Sequence, residues 1–110
     1  MPFYHLDELP IKSPLAGTRF RVLGGERMSL SYVDLEPNVV VPEHAHPHEQ
    51  ITVVLEGELR FSIEEEEKML TAGMVAVVPP NARHAAQAGP QGARVLDVFS
   101  PRREDLLQMK

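Results

Sequence analysis

Short apolar runs recur about every ten residues along this chain, each closed by a turn signal. Thr18 to Leu23 runs into Gly24-Gly25-Glu26-Arg27, Met28 to Leu35 into Pro37-Asn38, and Val39-Val40-Val41 into Pro42. Further on, Ile51 to Leu55 meets Glu56-Gly57, Glu58 to Ile63 meets Glu64, and Lys68 to Leu70 meets Thr71-Ala72-Gly73. Met74 to Val78 ends at Pro79-Pro80-Asn81, Arg83 to Ala88 at Gly89-Pro90-Gln91-Gly92, and Arg94 to Phe99 just before Pro101. Several runs carry the two-residue period of a strand: Leu59, Phe61 and Ile63 face away from Arg60 and Ser62, and Ser29, Ser31, Val33 and Leu35 face away from Leu30 and Tyr32. Ile51 to Leu55 is apolar almost throughout and reads as buried. With 10 Pro and 7 Gly distributed along it, the chain cannot sustain the long helices of a bundle. The pattern predicts an all-β sandwich or barrel. Its 110 residues are enough for a single domain, 1–110, with one core.

The two ends depart from the rhythm. Residues 1–17 carry Pro2, Pro10, Pro14 and Gly17 and read as irregular, with Phe3, Leu6, Leu9 and Ile11 apolar enough to dock on a surface such as a partner subunit. Pro101 is placed to open a short helix over Arg102 to Met109. A net charge of −5 argues against nucleic acid as a partner. No run reaches the length of a membrane span and Met1-Pro2-Phe3-Tyr4-His5 lacks a signal-peptide pattern, so a cytoplasmic, non-membrane protein is expected.

Three of the five histidines lie in Pro42-Glu43-His44-Ala45-His46-Pro47-His48. On an extended backbone His44 and His46 project to one face and supply half of a transition-metal site. The absence of cysteine leaves imidazole, carboxylate and amide groups as the available ligands. A third ligand is needed, and His84, at the start of a strand, is the leading candidate. His48 is expected to lie off the metal, because Pro47 interrupts the strand. Glu64 to Glu67 are like charges that belong in water at a hairpin tip.

Near the C-terminus, Asp97 and Phe99 share a strand face opposite Leu96 and Val98. With Leu96 and Val98 packed outward, Asp97 and Phe99 line the barrel. A buried carboxylate there has a use in proton transfer, and Arg103 can present its fork to a substrate carboxylate. The same residues also fit a plain Asp–Arg bond that pins the C-terminal helix.

These spacings resemble the cupins. The family's first motif runs Gly, five residues, His-x-His, three or four residues, Glu, six residues, Gly. Asn38, His44, His46, Gln50 and Gly57 stand at those places. The second runs Gly, five residues, Pro-x-Gly, two residues, His, three residues, Asn; Gly73, Pro79 and His84 match it, with Asn81 in place of the second Gly and Ala88 in place of the final Asn. Asn is a mild replacement for Gly, since it tolerates the left-handed backbone. The resemblance implies a double-stranded β-helix, the cupin jelly-roll barrel, with a short C-terminal helix. It also implies a homodimer, with residues 1–17 docked or exchanged at the interface. The implied cofactor is a divalent transition metal held by His44, His46, Gln50 and His84. Imidazole suits zinc, nickel, iron and copper, and manganese is compatible. Gln50 in place of Glu leaves the ion's charge undiminished for a bound substrate.

Within cupins, Asp97-x-Phe99-x-x-x-Arg103 together with three His and a Gln resembles the KdgF-type proteins of pectin and alginate breakdown. That resemblance implies linearisation of 4,5-unsaturated uronates to 4-deoxy-5-keto sugar acids. Asp97 would move the proton, Phe99 would pack on the ring and Arg103 would hold the carboxylate. Two other functions are compatible with the residues: a metal-dependent dioxygenase of a small organic acid, and a cupin that binds a small ligand without turning it over.

Overall fold

The computed structural model describes residues 2–110. Its strands are β1 (Ile11–Lys12), β2 (Thr18–Gly24), β3 (Ser29–Leu35), β4 (Val40–His44), β5 (Glu49–Ile63), β6 (Glu66–Thr71), β7 (Val75–Val78) and β8 (His84–Ser100). A 3-10 turn at Leu6–Glu8 precedes β1, a single α-helix among the described residues, α1, follows at Glu104–Leu107, and all strand pairs are antiparallel. The strands join in the order β1-β2-β3-β8-β5-β6, with β4 added to β8 and β7 to β5.

β5 and β8 are paired along nearly their whole length and belong to both layers of the molecule. The first half of β5 lies between the second half of β8 and β7, while its second half lies between the first half of β8 and β6. The layers close on one core. Val33, Val54 and Val95 from one meet Leu59, Phe61, Leu70 and Ala88 from the other. This is an all-β fold, as the strand rhythm predicts, and its jelly-roll arrangement is the one the family resemblance implies.

Two expected hairpin turns are instead bends within these long strands. Glu56-Gly57 does not reverse the chain, and neither does Gly89-Pro90-Gln91-Gly92; β5 runs on for 15 residues and β8 for 17. The register shifts on either side of Gly57. These bulges change which parity faces inward, from Gln50, Thr52 and Val54 to Leu59 and Phe61. Gly57 has φ 79°, and a Cβ there would stand 2.2 Å from the Gly92 carbonyl oxygen. The corner is therefore built on a close approach of two backbones that only glycine permits.

Two further expectations change. Ile51 to Leu55 is not uniformly buried. Thr52 and Val54 are, whereas Ile51 and Leu55 face outward. The helix is shorter than Arg102 to Met109, because Arg103 sits outside helical backbone as its N-cap. The N-terminal segment docks on its own barrel: β1 pairs with β2, Leu9 is buried, and Lys12 Nζ donates to the Met109 carbonyl. No helix among the described residues is long and apolar enough to cross a membrane.

Candidate metal centre and cavity

Backbone pairing brings the histidines together at the mouth of the barrel. β4 ends at His44 and β8 begins at His84, and these two residues face each other directly across the ladder. His46 does not share a strand with His44, as its spacing suggests; it lies just beyond β4, in the connection to β5. That connection is held by the Asn81 N–H, which donates to the His46 carbonyl at 2.8 Å. Asn81 has φ 67° and Asn38 φ 63°, so each adopts the left-handed backbone expected where the family motif has Gly.

The rings of His44 and His84 are 4.2 Å apart, those of His46 and His84 4.8 Å, and those of His44 and His46 5.8 Å. One ring nitrogen from each lies within 4.8 Å of the other two, an arrangement that can hold a metal ion. His46 and His84 are buried, and His44 stands at the exposed rim. His48 is outside this group, its ring 5.3 Å from that of His46.

The outer nitrogens explain the aim of the inner ones. His44 Nδ1 lies 2.8 Å from the Pro42 carbonyl, His46 Nδ1 3.1 Å from that of His48, and His84 Nδ1 2.9 Å from that of Ala82. A carbonyl only accepts, so each Nδ1 carries the proton and each Nε2 presents a lone pair. His84 Nε2 is buried with no hydrogen-bond partner. His46 Nε2 lies 3.0 Å from Gln50 Oε1, a second lone-pair donor. A concentration of acceptors with no proton among them fits a cation, and the nitrogen-rich set fits a divalent transition metal. Burial, helped by the charge of Arg103 and by His84, lowers the His46 pKa to about 4, and burial lowers that of His84 as well. Both are therefore neutral, as ligands must be, at physiological pH.

Below the histidines the register sets a second group. Gln50 lies opposite Phe99, and Thr52 opposite Asp97. Thr52 Oγ1 donates to Asp97 Oδ1 at 2.7 Å and accepts from Gln50 Nε2 at 2.8 Å, while Gln50 Nε2 also reaches Asp97 Oδ1 at 3.4 Å. Burial pushes the Asp97 pKa up to about 6, against the opposing pull of the Thr52 hydrogen bond and the Arg103 charge. Asp97 and Phe99 line the cavity, while Leu96 and Val98 sit on the other face of β8. Arg103 does not bond to Asp97. Its guanidinium lies over the Phe99 ring, 4.8 Å from the centroid, and forks onto Asp105 at 2.9 and 2.7 Å. Thr52 is the member of this group that the sequence alone does not single out.

His44, His84, Gln50, Asp97 and Arg103 border one cavity of about 330 Å³, whose floor is apolar, with Phe20, Val33, Phe61 and Val95 among its walls. Its size suits a small organic molecule.

A bent antiparallel barrel carrying three imidazoles at its mouth defines a cupin. The cupin-domain family model (Cupin_2) matches residues 31–99, and the chain belongs to that family. Among its relatives, the pectin degradation protein KdgF of Dickeya dadantii (strain 3937) is 26% identical over 103 residues, 92% of this chain and 94% of that one. The structure of KdgF from Halomonas sp. superposes with a TM-score of 0.88 at 27% identity, covering 96% of this chain and 97% of the other. An RmlC-like cupin from Shewanella frigidimarina NCIMB 400 also gives 0.88, at 30% identity over 96% and 95% of the two chains.

Proposed function

We propose that this cupin holds a divalent transition metal through His44, His46, His84 and Gln50 and uses it to linearise a 4,5-unsaturated uronate. The observation that carries the reading is the placement of Asp97, with a pKa near 6, on the same cavity wall as the ligand group. Similarity to two proteins named KdgF, one described as a pectin degradation protein, supports the substrate class.

The reaction needs no oxidant and no water. The anomeric hydroxyl loses its proton, the ring C–O bond breaks as the aldehyde forms, and the enol left behind takes a proton at carbon 4 to give the 5-ketone. A carboxyl that titrates close to the working pH can accept the first proton and return one. Asp97 is such a group, and its bond from Thr52 keeps it oriented. Arg103 supplies a fork for the substrate carboxylate, and Phe99 supplies the flat apolar face against which the ring lies. The metal, when bound, provides Lewis-acid polarisation of substrate oxygen, and an all-neutral ligand set supports that role over redox chemistry. The presence of a proton-transfer group beside the ligands supports catalysis over passive binding.

The test is to incubate metal-loaded protein with unsaturated uronates and follow loss of the conjugated double bond above the spontaneous rate. Asp97→Asn should keep the metal and lose rate by about 10²- to 10⁴-fold. Undiminished turnover in that variant would remove Asp97 from the mechanism.

The outer sheet face supports a second copy as partner. Val77, Ile51, Val98 and Leu30 form one row across β7, β5, β8 and β3, and Val75 and Val53 begin the next. Val75 and Val77 are 55% and 57% exposed. Copies of net charge −5 repel one another, so an apolar face such as this is where two of them can meet.

A further inference from the structure

We infer that Thr52 is a positioning residue whose hydroxyl decides which end of the Gln50 amide faces the three imidazoles. The inference rests on the metal-site reading above and assigns that site a residue outside its ligand set.

An amide side chain can be turned over about its terminal bond at little steric cost, because its oxygen and nitrogen ends are nearly the same size. Only one orientation makes Gln50 a ligand. Something must therefore distinguish the two ends, and the hydrogen count of Thr52 does so. Thr52 is 1% exposed, so its hydroxyl must find its partners within the protein. It has one proton, and Asp97 Oδ1 stands 2.7 Å away to accept it. With that proton committed, Oγ1 can only accept, and Gln50 Nε2 donates to it at 2.8 Å. Asp97 Oδ1, 3.4 Å from the same nitrogen, favours the same end. The oxygen end is thereby turned away, to 3.0 Å from His46 Nε2.

The arrangement is set by backbone register rather than by loose side chains. Thr52 and Asp97 are direct cross-strand neighbours, and Gln50 is two residues from Thr52 on the same inward face of β5. The next inward residue, Val54, is a plain apolar filler at 0% exposure. Valine at position 52 would fill the same space and suit the strand equally well. Its methyl group would offer Gln50 no acceptor.

Thr52→Val, Thr52→Ala and Thr52→Ser in the full chain separate this role from packing. In the metal-free protein, exchange of the Gln50 side-chain amide protons with water is read by NMR. Exchange should be slow in the wild type and in Thr52→Ser, and roughly tenfold faster in the Val and Ala variants. Zinc affinity, read by competition with a chromophoric chelator, should fall up to about tenfold in the Val and Ala variants, the loss expected for removing Gln50 itself, and stay within about threefold in Thr52→Ser. The Ala variant decides the matter if the Val variant fails to fold. Unchanged amide exchange and unchanged affinity in a folded variant without the hydroxyl would overturn the inference. Should the wild type bind neither zinc nor any other divalent ion, the metal reading falls, and amide exchange still decides whether Thr52 orients Gln50.

Discussion

His46 Nε2 and Gln50 Oε1 stand 3.0 Å apart, and neither has a proton for the other while His46 Nδ1 donates to the His48 carbonyl. Two facing lone pairs repel unless a cation lies between them. Gln50→Leu keeps most of the volume and removes one of the pair. It should weaken divalent-metal binding about tenfold, whereas His84→Ala, which removes a buried nitrogen, should weaken it at least about a hundredfold. Calorimetric titration of chelator-stripped protein measures both. Equal affinity in Gln50→Leu and wild type would show that the amide oxygen is not a ligand.

Much of this site was readable in the chain, and the unread parts have physical causes. His44-x-His46 and His84 stand out in the sequence and the structure gathers their rings into one group, while Asn38 and Asn81, where the family motif has Gly, adopt the left-handed backbone that Asn tolerates. The continuity of β5 and β8 was hidden. Gly57 and Gly92 carry the positive φ of a turn, yet it is pairing across nearly the full length of two strands that makes them bends. The exposure of Ile51 was hidden because this sheet is apolar on both faces, which erases the two-residue period. Thr52 looked like an ordinary strand former among valines. Only the register that sets it against Asp97 shows that its hydroxyl has partners.

Asp97 and His46 should make opposite contributions to the pH dependence of stability. The Asp97 pKa rises from 3.8 to about 6 on folding, so the native state holds more protons between those values and stability falls as pH rises through them. The His46 pKa drops from 6.5 to about 4, so the unfolded state holds more protons and stability climbs over that window. His84 adds to the climb. Asp97→Asn removes the falling contribution. Urea unfolding of chelator-treated protein between pH 4.5 and 6 should give the variant a slope steeper than wild type by about 1 kcal/mol per pH unit. Parallel profiles would mean that Asp97 titrates normally in the folded protein.

Arg103 is stacked on Phe99 and forked onto Asp105, a carboxylate that is largely exposed. A substrate carboxylate entering the cavity can take over one arm of that fork without moving the guanidinium off the ring. Lysine keeps the charge but has neither the fork nor the flat face. Arg103→Lys should raise KM for an unsaturated uronate about tenfold with kcat changed much less, and Asp105→Asn should leave both within about threefold. A fall in kcat with KM unchanged would place Arg103 in the chemical step instead.

The barrel corner should tolerate no side chain. A Cβ at position 57 would collide with the Gly92 carbonyl oxygen and would also sit at a φ that alanine disfavours. Gly57→Ala should therefore lose about 2 kcal/mol or more, read as a lower urea midpoint. Gly73 has a similar φ of 91° but no atom within 4 Å of its Cβ position. Gly73→Ala should consequently cost only the backbone strain, about 1 kcal/mol. Equal losses at the two sites would show that the approach to Gly92 relaxes freely.

The outward rows on β7, β5, β8 and β3 make association testable without touching the cavity. Val77 is 57% exposed and points away from the core, so Val77→Glu leaves the barrel's packing intact. In a dimer closed through this face, two-fold symmetry brings the apolar rows of both copies together, and the change then buries one unpaired carboxylate from each copy. Light scattering after size exclusion should report twice the chain mass for wild type and the single-chain mass for Val77→Glu, with the two proteins melting differently only where the wild type is associated. Glu65→Lys, at the exposed turn between β5 and β6, is the control and should remain a dimer. A wild type of single-chain mass at micromolar concentration, or a Val77→Glu variant that still pairs, would move the interface off this sheet.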